Sequence, residues 1–226
     1  MWFTDLHQAL AQAHRTRRPV LSLRLLGNFD EELTCANSRF FKRLLYPEPR
    51  IARLLREAFV LHWQSVRPVP IVTIDFGGGK RITRTLTGNS LHLVLDPSGR
   101  PVDALPGLFD PDTFLRLLVR AHAIACGRPR PTLAPVIAPP PRRAVEASML
   151  APTKHVVEAP MLRAVMPIDV MADTRQNLAL HARLQPMFPT TWSADELVDW
   201  IYRELFLMPP DDPALGLDVE EPFLSA

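Results

Sequence analysis

The chain has 226 residues, enough for one domain of ordinary size plus a smaller one, and its 47% hydrophobic and 22% charged content is that of a soluble globular protein. A formal net charge of +2 is too small to point to nucleic acid, and no stretch approaches the length of a membrane span. The opening Met1-Trp2-Phe3-Thr4-Asp5-Leu6-His7 lacks a basic region leading into an apolar one, and two cysteines, Cys35 and Cys126, cannot build a disulfide framework. A cytoplasmic protein with reduced thiols is therefore expected.

Leu6, Ala9, Leu10 and Ala13 recur at helical spacing over Asp5 to His14, with Thr4 as the expected N-cap. Pro19 closes that segment, and Val20 to Leu26 reads as a buried strand stopped by Gly27-Asn28. An acidic loop, Asp30-Glu31-Glu32, leads to Cys35. Arg39 to Tyr46 is predicted helical, Pro47 and Pro49 interrupt it, and Arg50 to Ala58 resumes. Phe59 to Val66 is rich in strand formers. Ile71 to Phe76 and Arg81 to Thr87 form a predicted hairpin around Gly77-Gly78-Gly79-Lys80, and Leu91 to Leu95 with Pro101 to Leu105 form another around Asp96-Pro97-Ser98-Gly99. Asp110 to Ala125 is an amphipathic helix that Gly127 ends.

Residues 128–167 differ in composition. Nine prolines from Pro129 to Pro167 forbid long helices, and Arg128, Arg130, Arg142 and Arg143 keep the start basic, so a semi-extended proline-rich arm is expected. Residues 168–226 read as a small helical unit with an acidic tail. One helix spans about Val170 to Met187, and a stronger one spans Ser193 to Leu207, where Ser193 and Glu196 fit a capping box. Trp192, Trp200, Tyr202, Phe206 and Phe223 make this region aromatic. Its apolar face serves either to pack on its own protein or to dock on a protein partner.

The motif that carries chemistry is Cys35-Ala36-Asn37-Ser38. A cysteine between a strand and a helix start meets free backbone N–H groups that favour the thiolate. Serine in the second position prevents an internal disulfide, so an outside thiol has to resolve any mixed disulfide. Ser38 is the expected hydrogen-bond partner of the thiolate, with Asn37 and Thr34 as further donors. Asp30, Glu31 and Glu32 act in the opposite sense, raising the thiol pKa. Cys126, at the end of a predicted helix, is expected to be remote from Cys35.

The element order resembles the thioredoxin fold, and residues 1–127 are similar to thioredoxin-like domains in several places. Trp2, then Ala9, Ala13 and Arg18-Pro19-Val20-Leu21, resembles the entry into the first central strand of many bacterial members. Phe59-Val60-Leu61 looks like the second strand. Leu93-Val94-Leu95-Asp96-Pro97-Ser98-Gly99-Arg100-Pro101-Val102, followed by Leu105-Pro106-Gly107, is similar to the closing hairpin and the turn before the last helix. The resemblance implies a central mixed sheet flanked by helices, with Cys35 in the place of the reactive cysteine. It also implies that Asn89 and Ser90 stand where the family has a cis-proline facing that cysteine and presenting backbone to a peptide substrate.

Other motifs yield less. Gly77-Gly78-Gly79-Lys80 is followed by Arg81-Ile82 between strands, so it reads as a hairpin turn and not a phosphate loop. The histidines have no metal-ligand spacing, and no serine lies in a G-x-S-x-G context. The expectation is an α/β protein with a thioredoxin-like sheet, a proline-rich arm and a C-terminal helical unit. Its expected function is single-cysteine thiol–disulfide exchange or redox sensing by Cys35 and Ser38, with Thr34, Asn37, Asn89 and Ser90 around the substrate. Partners would be protein or low-molecular-weight thiols, with a protein partner on the C-terminal helices as a further option; neither cofactor nor metal, nucleic acid nor membrane is expected. The alternative is a non-catalytic thioredoxin-fold interaction module.

Overall fold

The computed structural model describes residues 1–31, 36–85, 88–129, 170–188 and 190–216. Its elements are β1 (Trp2–Phe3), α1 (Leu6–Thr16), β2 (Val20–Leu26), α2 (Ala36–Phe40), α3 (Pro49–Ala58), β3 (Val60–Arg67), β4 (Ile71–Asp75) and β5 (Arg81–Thr85). They continue with β6 (Ser90–Leu95), β7 (Pro101–Pro106), α4 (Pro111–Ala125), α5 (Val170–Leu184) and α6 (Ala194–Trp200). π-Helical turns extend α2 over Phe41–Leu45 and α6 over Ile201–Leu205.

Five strands form one mixed sheet in the order β1-β3-β2-β6-β7. β3 runs parallel to β1 and β2, whereas β6 is antiparallel to β2 and β7. β2 lies at the centre and all seven of its residues are buried, which explains its nearly continuous apolar run. Side-chain alternation divides it. Leu21, Leu23 and Leu25 enter a core with Phe41, Ile51, Leu55, Phe114 and Leu118, beneath α2, α3 and α4. Val20 and Leu26 face the other core, with Ala9 and Ala13 of α1.

That second face is completed from far along the chain. Leu180 and Leu184 of α5, and Leu197, Ile201, Tyr202 and Leu205 of α6 and its extension, are buried against Leu91, Leu93 and Leu95. At ~1.5–3 kcal/mol for each large apolar side chain removed from water, this packing is a substantial share of the core energy. Between β3 and β6 the chain makes the separate β4–β5 hairpin, which does not join the sheet. The face is thus left open to the C-terminal helices. Among the described residues no helix is long and apolar enough to cross a membrane.

Local chemistry sets the element ends. Asp5, rather than the expected Thr4, caps α1, its Oδ1 accepting from His7 N at 2.7 Å and Gln8 N at 3.2 Å. Adjacent capping residues differ by one step in the chain, and only the backbone turn selects between them. Pro49 does not interrupt α3 but occupies its first turn, where its missing N–H costs nothing, and Glu48 Oε2 accepts from Ile51 N at 2.9 Å. The capping box at Ser193 and Glu196 is formed. Gly77, Gly78 and Gly79 all have positive φ, as the tip of a tight hairpin requires.

Candidate functional site

Ser90 opens β6 beside Leu25, near the end of β2, and Asn37 lies in the first turn of α2. The two segments meet there. Asn37 Nδ2 donates to Ser90 Oγ at 3.1 Å and to Asn89 Oδ1 at 3.3 Å. Asn89 Oδ1 also accepts from Ser90 N at 2.9 Å, and Gly107 N donates to Ser90 O at 2.7 Å. Asn37, Asn89 and Ser90 therefore form one hydrogen-bonded cluster. Ser90 and Ser38 are completely buried, whereas Asn37 and Asn89 are half-exposed. Cys35 and Thr34 lie outside the described residues.

The approach to the motif is tied down by Lys42. Its ammonium donates to Phe29 O at 2.7 Å and Glu31 O at 3.2 Å, and lies 5.3 Å from the centre of the Phe29 ring. Asn28 Oδ1 accepts from Asp30 N at 2.9 Å, and its amide donates to Glu31 Oε1 at 3.0 Å. The acidic approach loop thus carries a cation of its own, contributed from the π-helical turn.

Two buried histidines lie in the sheet. Tyr46 Oη and His92 Nε2 are 2.6 Å apart, and burial lowers the His92 pKa to about 3. Phe41 and Phe114 rings approach His92 edge-on, at 4.7 and 4.9 Å. On the other face, Ser22 Oγ and His62 Nδ1 lie 2.8 Å apart. Burial, reinforced by the Arg24 charge, lowers the His62 pKa to about 4. Both imidazoles are neutral near pH 7 and serve the interior. Arg24, only 2% exposed, donates to Ser22 Oγ at 3.0 Å and Gln64 Oε1 at 2.6 Å, and pairs with Asp195 at 3.0 Å.

Sequence reasoning missed the contribution of the C-terminal unit. Tyr202 Oη donates to Asn89 O at 3.0 Å, bringing a completely buried side chain to the back of the cluster. No local signal marks it, because its spacing only places it on an apolar helical face. Cys126 is an exposed free thiol 3.7 Å from His122 Nε2. Among the described residues no three His, Cys, Asp or Glu side chains are grouped to hold a metal ion.

The sheet order and its flanking helices define an α/β protein whose architecture is compatible with a thioredoxin-like arrangement. No protein-family model matches the chain, and no curated protein matches it in sequence.

Proposed function

We propose that the chain is a thioredoxin-like, cytoplasmic thiol protein that uses Cys35 as its single nucleophile, in thiol–disulfide exchange or redox sensing. In exchange, the Cys35 thiolate attacks one sulfur of a protein or low-molecular-weight disulfide. A new S–S bond forms, the old one breaks, and the other sulfur leaves as thiolate. Because Ser38 occupies the second position of the motif, a thiol from outside has to release Cys35.

One observation carries this reading: the Asn37 amide, two residues after Cys35, is hydrogen-bonded to Asn89 and Ser90 at the opposite strand end. Asn37 and Asn89 are half-exposed, and this polar cluster begins two residues after Cys35, which supports a role for it beside that thiol. A second reading, a non-catalytic interaction module, draws on the complete burial of the Ser38 and Ser90 side chains, which suits packing better than contact with substrate.

Incubation of the Cys126→Ala protein with glutathione disulfide separates the two. A thiol protein forms one glutathione adduct, on Cys35, that dithiothreitol reverses and Cys35→Ser abolishes. A folded protein with no adduct supports the interaction module instead.

A further inference from the structure

The start of β6 is held from three directions, and one of them comes from the far end of the chain. Asn37 donates to Asn89 and Ser90 from the α2 side, and Gly107 N holds Ser90 O at 2.7 Å from the neighbouring turn. From behind, Tyr202 Oη donates to Asn89 O at 3.0 Å and lies 3.4 Å from Arg24 O. The Tyr202 ring packs edge-on against Phe206, with centres 5.1 Å apart. Asp195, in the first turn of α6, reaches Arg24 at 3.0 Å. The α6 segment is therefore attached at two points, to the end of β2 and to the residue before β6.

We infer that Tyr202 is a positioning residue for the Asn37–Asn89–Ser90 cluster, so that the cluster is complete only with the C-terminal helices in place. Asn89 links the two sides through a single residue: its carbonyl accepts from Tyr202, and its side-chain oxygen accepts from Asn37. A buried hydroxyl bonded to a main-chain carbonyl fixes that peptide plane, since leaving the carbonyl unpaired is costly. Ser90 N of that same peptide unit donates to Asn89 Oδ1 at 2.9 Å, so the plane also orients the oxygen that accepts from Asn37. As a statement about thiol chemistry, the inference rests on the proposed role of Cys35; as a statement about the cluster, it does not.

Tyr202→Phe tests it, because the ring packing is kept and only the hydroxyl is removed. Two readouts are taken in the Cys126→Ala background: the Asn37 side-chain amide resonances, and the pH profile of Cys35 alkylation. The inference predicts displaced Asn37 resonances and a roughly three- to tenfold change in the alkylation rate at pH 7, the size expected for one lost hydrogen bond. Ser193→Ala, which weakens the α6 cap without touching Asn89, should lower stability while leaving both readouts in place. Incorporation of 3-fluorotyrosine at position 202 keeps the fold, makes the hydroxyl a stronger donor, and should displace the Asn37 resonances the opposite way. Unmoved Asn37 resonances in folded Tyr202→Phe overturn the inference, whatever Cys35 does. Displaced resonances beside a wild-type Cys35 that does not react uphold the positioning role and sink the thiol reading alone.

Discussion

Asp103 and His181, 78 residues apart, meet inside the protein with His181 Nε2 2.9 Å from Asp103 Oδ1, and neither side chain is more than 1% exposed. Gln185 Nε2 donates to the same oxygen at 3.0 Å, and Arg120 donates to the Gln185 side chain. The group pins α5 to β7 at the edge of the sheet, so its loss should loosen the C-terminal helices first.

Asp103→Ala should cost ~1–3 kcal/mol, because it leaves His181 of α5, which is buried, and Gln185 just after that helix without their shared acceptor. Burial alone would raise the Asp103 pKa, but hydrogen bonds from His181 and Gln185 and the Arg120 charge outweigh it and hold the carboxyl below its ordinary range. A depressed carboxyl pKa adds stability above the ordinary carboxylate value, and that contribution is lost as pH falls through the folded-state value. Urea unfolding at pH 7 and in strong acid should therefore give a smaller difference between Asp103→Ala and wild type in acid.

His62 and His92 should make stability fall across mildly acidic pH. Their folded pKa values are lowered from 6.5 to about 4 and about 3, so the unfolded chain takes up protons first. Stability from both is complete above about pH 6.5 and declines below it, with a limiting slope of about 1.4 kcal/mol per pH unit for each histidine. Denaturant unfolding between pH 7 and 4.5 should show this slope, and His92→Phe should reduce it by roughly half. A pH-independent stability over that range would contradict the buried, neutral assignment.

Arg24 and Asp195 should respond unequally. Arg24 is buried, and desolvation lowers its pKa against the pull of Asp195, whose side chain is 73% exposed. Removing Asp195 leaves a buried guanidinium short of a partner, so Asp195→Asn should cost ~1–3 kcal/mol. Arg24→Met removes the buried charge; Asp195 is exposed to water and Ser22 Oγ keeps its contact with His62 Nδ1, so the variant should stay within ~1 kcal/mol of wild type. Thermal unfolding of the two variants checks the order.

Gly107→Ala should be more harmful than its size suggests. Gly107 has a φ of 74°, and an added Cβ would come within 2.5 Å of the Asn177 side chain of α5. Asn177 in turn donates to Leu108 O at 2.7 Å. The left-handed backbone alone costs ~1–2 kcal/mol for a residue other than glycine, and displacement of Asn177 adds to it. Amide hydrogen exchange should show α5 losing protection before β2 does.

The parts of the fold written locally were legible in the sequence. Val20 to Leu26 stands out because Pro19 and Gly27 bound a continuous apolar run, and the Ser193–Glu196 cap is spelled by two side chains three residues apart. Asn37, Asn89 and Ser90 are each candidates in the sequence, Asn89 and Ser90 through the family resemblance alone, and the hydrogen bonds joining Asn37 to them span 52 and 53 residues of chain and have no local signal. Long-range polar contacts were not legible: Tyr202 reaches Asn89 across 113 residues, and nothing in its surroundings distinguishes it from another apolar helix position. The π-helical turns at Phe41–Leu45 and Ile201–Leu205 were equally hidden, since each is a single turn that continues a helix.

The central claim is that Cys35 is a working nucleophile, and its alkylation rate as a function of pH tests it most directly. With Cys126→Ala as background, iodoacetamide labelling should reveal a thiol titrating well below about 8, and Cys35→Ser should abolish the labelling. A Cys35 that stays unlabelled at pH 7 in the folded protein would contradict the account.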